Sequence, residues 1–190
     1  MNGIIGHSGF VGSNINNQTK FDVRFNSKNI SDIKGKSFEI LVCCGISSIR
    51  WYANNNSEQD LESIQSLASS IVTAKVNKLV VISTIGVYDK LNGVYEDHEI
   101  NEKNCDSYGS NRLWFEKFAN DNYDSYIIRL PALFGKNMKK NPIYDLIHNN
   151  YDYLPHPNSE YQYYSLEYLW KDIQIAVSLF LVLQVMFMNI

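Results

Sequence analysis

The sequence predicts an α/β protein built as a doubly wound parallel sheet, and three observations carry that expectation. Apolar runs of strand length alternate with segments of helical period, and such repetition places helices on both faces of a parallel sheet. Two of the runs, FEILVCC (38–44) and KLVVIS (78–83), are apolar almost throughout, as strands covered on both faces are. Three glycines at intervals of three, Gly6, Gly9 and Gly12, follow directly on the first apolar residues.

The elements follow in order. Ile4-Ile5 ends a short first strand, and Phe10, Val11 and Ile15 begin a helix. Phe21, Val23 and Phe25 alternate with polar residues, the pattern of a half-buried strand. After the 38–44 strand, a helix is expected over Asp60–Val76. Leu61, Ile64, Ala68, Ile71 and Val72 share one face there, and acidic residues sit at its beginning. Tyr108 to Asn122 reads as a further helix, and SYIIRL (125–130) as a strand that Pro131 terminates.

The 190 residues suit one domain, or one domain plus a small appendage. A net charge of −3 shows no basic excess, which argues against a nucleic-acid partner. The short run Met138-Lys139-Lys140 reads as a solvated loop. Cys43, Cys44 and Cys105 make an odd count without metal-ligand spacing, so no metal site is expected and a reducing cytoplasm is the simplest setting. No signal peptide fits the start, because Met1 to Ile5 runs into the glycines without a basic region.

A strand, a glycine turn and a helix form the dinucleotide-binding arrangement. Gly6 permits the tight turn, Gly9 lets the backbone approach a pyrophosphate, and Gly12 lets the helix pack closely on the strand. The helix N-terminus, entered through Phe10 and Val11, offers free N–H groups to the phosphates. His7 reads as a turn residue. The position that selects NAD or NADP falls near Asn26, about 20 residues beyond the first glycine. No carboxylate stands there for a ribose 2′-hydroxyl, while Ser27 and Lys28 suit either a 2′-phosphate or a solvated loop. The preference between the two cofactors stays open.

Two further motifs bear on chemistry. VISTIGVYD (81–89) leaves a buried strand with polar residues at its carboxyl end, where ligands bind in parallel sheets. YGSNR (108–112) opens a helix and sets Tyr108 and Arg112 on one face at i and i+4. With GHSGFVG (6–12) and RLPALFG (129–135), this set over residues 1–173 resembles the extended short-chain dehydrogenase/reductase superfamily, within it the nucleotide-sugar epimerase/dehydratase group.

The resemblance implies that Thr84 hydrogen-bonds the substrate oxygen and that Tyr108, 24 residues later, is the general acid/base. It implies that Gly45 lets the backbone approach the cofactor. The group's YxxxK lysine, which binds the nicotinamide ribose and favours the ionised tyrosine, falls on Arg112. A full charge about 5 Å away, at an effective dielectric of about 20, is worth about 3 kcal/mol. Arginine therefore covers much of the electrostatic task, although its planar head and the ammonium are not interchangeable toward a ribose. Dehydratases of the group commonly carry an acidic pair after the Ser/Thr. Ile85 and Gly86 stand there instead, which favours epimerisation or keto-sugar reduction. Glu96, Asp97 and Glu99 read as a solvated acidic loop, and Cys44 as a small core residue.

By the same resemblance, residues 1–140 form an NAD(P)-binding Rossmann-like domain and residues 141–190 an incomplete substrate domain ending in an apolar segment. Tyr163, Tyr164, Tyr168 and Trp170 are expected in packing rather than stacked on a ligand. Residues 173–190 carry no charge, and 14 of the 18 are apolar. As a helix they would span about 27 Å, just under a hydrocarbon core of about 30 Å. A membrane anchor, an oligomer-forming helix in a homodimer, and a substrate domain cut short are the readings left open. The expected function is an epimerase or reductase acting on a nucleotide-activated sugar with NAD or NADP. The alternative is a catalytically inactive dinucleotide-binding scaffold.

Overall fold

Five parallel strands form the central sheet in the order β2-β1-β3-β4-β5. They are β1 (Asn2–Ile5), β2 (Val23–Phe25), β3 (Ser37–Cys43), β4 (Lys75–Thr84) and β5 (Asp124–Leu130). The structure is a computed structural model that describes residues 1–90, 93–95, 97–138, 141–150, 156 and 158–178. Pairing sets Ile5 beside Phe25 and Cys43, and Thr84 beside Leu130, so the carboxyl ends of the strands line up along one edge.

Side chains alternate across this sheet, and both faces are covered. Leu41, Cys43, Leu79 and Val81 point to one face, against Ile64, Ala68 and Ile71 of α3 (Ser57–Val72) and Phe115 and Ala119 of α4 (Ser107–Asn122). Val42, Val80 and Ile128 point to the other, against Ile15 of α1 (Phe10–Gln18) and Leu169 and Ile173 of a helix near the end of the chain. This two-sided burial explains the unbroken apolar runs, and the expected doubly wound α/β class is what the structure shows.

The expected helix over Asp60–Val76 is corrected at both ends. It begins at Ser57 and stops at Val72, because Lys75 and Val76 already pair with Ser37 and Phe38 in the sheet. Val72 leaves the buried face and is 58% exposed, since the stripe of Ile64, Ala68 and Ile71 ends one residue earlier. A short helix before it, α2 (Arg50–Asn55), had no periodic signal in so brief a segment.

Beyond Pro131 the chain forms β6 (Ala132–Phe134), which pairs in parallel with β7 (Tyr163–Ser165) as a separate two-stranded sheet. Between them lies α5 (Pro142–Ile147), started by Asn141, whose Oδ1 accepts from the Tyr144 N–H at 2.8 Å, with proline at the first position. The last described helix, α6 (Leu169–Ser178), buries Leu169, Ile173 and Ala176. Trp170 meets Phe21 edge-on at 5.5 Å, and the Tyr164 hydroxyl donates to Asp172, whereas Tyr168 is exposed. Of the apolar stretch 173–190, residues 173–178 lie in α6, and 179–190 fall outside the described residues. Glu96, Lys139 and Lys140 also fall outside them. Among the described residues no helix is long and apolar enough to cross a membrane, and no group of side chains could hold a metal ion.

Phe115 is fully buried between α4 and the sheet. Phe115→Ala should lower the unfolding free energy by about 3–5 kcal/mol, read as a shifted urea midpoint at unchanged slope.

Candidate active site

A cleft of about 850 Å³ runs along the carboxyl edge of the sheet. At one end stands the glycine turn. Gly6 adopts φ +80°, a left-handed conformation that side chains disfavour, and a Cβ there would lie 2.4 Å from the Cys44 carbonyl oxygen. A Cβ on Gly12 would lie 2.1 Å from the carbonyl oxygen of Gly6, so α1 can sit this close only because none is present. Gly9 is the N-cap of α1, in extended backbone, and no side chain caps the helix. Gly9, Phe10 and Val11 at that end border the cleft. The Gly9 N–H is taken by the Gly6 carbonyl oxygen at 3.0 Å, and the N–H groups of the first helical turn after it lack an intrahelical partner, the setting an anion needs.

Of the residues singled out from sequence, Gly6, Gly9, Phe10, Val11, Asn26, Ser27, Gly45, Thr84, Tyr108 and Arg112 all border this one cleft. Gly12 lies beneath it, and the exposed Lys28 is not part of its wall. Asn26 is held in place: its Oδ1 accepts from the Lys28 N–H at 2.9 Å, and its amide nitrogen lies 3.3 Å from His7 Nε2. Cys44 borders the cleft, and burial pushes its thiol well above the ordinary value. Cys43 behind it is pushed up to about 11 by burial. Both stay protonated and apolar in character.

Thr84 and Tyr108 meet across two glycines. A Cβ built on Gly86 would touch the Tyr108 ring at 3.1 Å and Thr84 Oγ1 at 3.3 Å, so this glycine lies between the two side chains. A Cβ on Gly109 would lie 2.3 Å from the Gly86 carbonyl oxygen, and its absence lets the start of α4 press on that turn. Thr84 Oγ1 accepts from the Gly86 N–H at 3.0 Å. Among the described residues no acceptor takes the Thr84 hydroxyl proton, and Thr84 borders the cleft.

Asp106 caps α4. Its Oδ1 accepts from the Gly109 N–H at 2.8 Å, and its Oδ2 accepts from Arg50 Nε at 2.8 Å and Asn54 Nδ2 at 3.0 Å. Asn54 Oδ1 in turn accepts from the Tyr108 N–H at 2.9 Å. Burial raises the Asp106 carboxyl, but the Gly109 N–H, Asn54 and Arg50 together outweigh it and hold the group below its ordinary value.

Under Tyr108 lies a buried ion pair that sequence reading did not foresee. Arg112 Nη1 donates to Asp60 Oδ2 at 2.5 Å and Nη2 to Asp60 Oδ1 at 3.0 Å, with both side chains nearly inaccessible. Asn111 Nδ2 also donates to Asp60, at 2.9 Å. The guanidinium carbon of Arg112 sits 3.9 Å from the centre of the Tyr108 ring, a cation–π contact. A second buried pair, Glu116 with Arg129 at 2.7 Å, takes the Ser83 hydroxyl on Glu116 and sets Arg129 4.9 Å from the Tyr88 ring. Asp60 reads in sequence as a helix-start acid, and only its distant partner shows otherwise. Asp106, a capping residue type directly before α4, carried a local signal.

The sheet order, the glycine turn and the position of the cleft define the doubly wound, Rossmann-like class. Solved structures of that class resemble the chain closely in shape. A dTDP-4-dehydrorhamnose reductase from Clostridium acetobutylicum superposes with a TM-score of 0.73 at 19% identity, over 95% of this chain and 71% of that one. DesIV, a dTDP-glucose 4,6-dehydratase from Streptomyces venezuelae with NAD bound, gives 0.71 at 15%, over 94% and 72%. A dTDP-4-dehydrorhamnose reductase from Bacillus anthracis in complex with NADP gives 0.70 at 19%, over 93% and 70%. At these identities the likeness establishes the fold. No protein-family model and no curated protein matches the sequence.

Two outcomes follow. Asp60→Ala leaves the Arg112 charge buried and unpaired, so it should cost about 3–5 kcal/mol in denaturant unfolding. Asp60→Leu combined with Arg112→Met should recover most of that loss. The depressed Asp106 carboxyl stabilises the fold above its unfolded pKa of about 3.9, and this contribution is lost as pH falls through the lower folded value. Asp106→Asn should therefore flatten the acid limb of the stability–pH curve below about pH 4, measured by unfolding across pH.

Proposed function

We propose that the chain binds NAD or NADP and transfers hydride to or from a nucleotide-activated sugar, as an epimerase or keto-sugar reductase of the extended short-chain dehydrogenase/reductase group. The observation that carries this reading is the single cleft shared by the uncapped start of α1, Thr84 and Tyr108. Reductases and a dehydratase of dTDP-sugars share the fold, one with NAD bound and one in complex with NADP. Residues 1–140 serve as the dinucleotide-binding unit, and the region from 141 onward contributes to the substrate side.

The residues fit the cofactor. Gly6 and Gly12 let the β1 turn and α1 approach with no β-carbon between them, Gly9 borders the cleft without a side chain, and the start of α1 suits a pyrophosphate. Asn26, Ser27 and Gly45 border the same cleft and would help hold the dinucleotide. Bound NAD or NADP supplies the hydride acceptor or donor. Thr84 donates its hydroxyl proton in a hydrogen bond to the substrate oxygen, and Tyr108 gives a proton to that oxygen or takes one from it. Ile85 and Gly86 offer no carboxylate after Thr84, so elimination of water lacks its acid/base pair and redox at a hydroxyl or keto carbon is favoured. One observation supports the inactive-scaffold alternative: Arg112 is committed to Asp60.

Gly9 has φ −75°, which any residue adopts, and it occupies the cap position. A Cβ there would lie 3.3 Å from the Gly6 carbonyl oxygen, a tight approach that offsets the gain of a good N-cap. Gly9→Asp should therefore hold stability to within about 1 kcal/mol while weakening NADH and NADPH binding at least tenfold by repelling the pyrophosphate. Fluorescence titration checks the binding. Tyr108→Phe should leave dinucleotide affinity within threefold and lower turnover of nucleotide sugars by about 100-fold or more. Wild-type protein that is folded yet binds neither dinucleotide overturns the reading. Tight binding with no nicotinamide absorbance change on any nucleotide sugar selects the scaffold.

A further inference from the structure

The donors of Arg112 can be counted one by one. A guanidinium carries five N–H groups. Nη1 uses both of its own, on Asp60 Oδ2 at 2.5 Å and on the Tyr108 carbonyl oxygen at 3.1 Å. Nη2 uses both of its own, on Asp60 Oδ1 at 3.0 Å and on the Ser47 carbonyl oxygen at 2.6 Å. The fifth, on Nε, is buried and has no partner among the described residues. Four of the five N–H groups are therefore spent on the protein itself, and the one that is not lies buried. What it does touch is the Tyr108 ring, 3.9 Å from the guanidinium carbon. Through Ser47 it also holds the loop that follows β3, which borders the cleft.

We infer that Asp60 is a positioning residue: it draws Arg112 against the Tyr108 ring and the Ser47 carbonyl, so that Arg112 fixes the phenol and the β3 loop instead of donating to a nicotinamide ribose. The consequence for the ribose rests on the dinucleotide reading above; the role of Asp60 toward Tyr108 does not. Arginine suits this task and lysine does not. An ammonium has three N–H groups, too few for a two-point grip on a carboxylate together with two carbonyls in different directions. Asp60 supplies the planar acceptor that matches the guanidinium fork. Asn111, donating to the same carboxylate at 2.9 Å, holds Asp60 in turn.

Two measurements test it separately. The 13 tyrosines are replaced by 3-fluorotyrosine, and the Tyr108 fluorine resonance is assigned by its loss in Tyr108→Phe. Asp60→Asn should shift or broaden that resonance, and in an Arg112→Met background the same substitution should change nothing further, because Asp60 acts through Arg112. An unmoved resonance, or equal effects in both backgrounds, overturns the assignment. Where Asp60→Asn does not fold, Asp60→Glu replaces it in the same cycle, keeping the charge and lengthening the arm. The second measurement compares NADH with ADP, which lacks the nicotinamide ribose. Arg112→Met should leave the ratio of their dissociation constants within threefold of wild type. A tenfold change in that ratio makes Arg112 a ribose ligand after all. If wild-type protein binds neither molecule, the dinucleotide reading falls, while the fluorine cycle still decides the role of Asp60.

Discussion

Two helices start where a backbone carbonyl leaves no room for a β-carbon, and the cleft depends on both contacts. Gly12 rests on the Gly6 carbonyl oxygen and Gly109 on that of Gly86, each at a distance a side chain could not share. The first contact sets the uncapped end of α1 against the tip of β1. The second sets α4 against the tip of β4, which brings Tyr108 beside Thr84. Parallel pairing then places both tips on one edge of the sheet. Steric absence, repeated at two strand ends, makes one cleft out of two separate turns.

Beneath this cleft the protein buries charge. Asp60 with Arg112, and Glu116 with Arg129, are almost wholly removed from solvent. Desolvating such pairs costs several kcal/mol per ion, and mutual attraction offsets it only when geometry is good and the remaining donors are satisfied. Here both arginines lie against aromatic rings, Tyr108 and Tyr88, that stand at the end of β4. The pairs add little to net stability over an apolar packing of equal volume. What they contribute is direction: a fork-to-carboxylate grip has one orientation, and the ring packed on it inherits that orientation.

The region after β5 is joined to the sheet rather than set apart from it. Leu166, Leu169 and Ile173 pack among Ile4, Ile15, Val42 and Val80, completing the face that α1 alone leaves partly open. The Gln18 side chain ties the same segment to α1, donating to the Leu166 carbonyl oxygen at 2.7 Å and accepting from the Trp170 N–H at 3.1 Å. Pairing of β6 with β7 carries the chain from the end of β5, at the cleft, back to this face.

Periodicity and residue type alone determined the five strands, the glycine turn, the helices that open at Phe10 and near Tyr108, and the placing of Thr84 and Tyr108 at strand and helix ends. These are local properties, because side-chain alternation and helical spacing act over a few residues and glycine's permissiveness acts at one. Boundaries such as the stop of α3 at Val72 were not local, since ladder pairing of Lys75 with Ser37 decided them. Nor was the pairing of β6 with β7, whose short runs carry no period of their own. Only the tertiary structure joined Asp60 to Arg112 across 52 residues, because a carboxylate at the start of a helix looks the same whether it faces water or a buried guanidinium. Burial and partner are properties of the packed chain, and they set Arg112 on Asp60 and against the Tyr108 ring, which its place four residues after Tyr108 does not reveal.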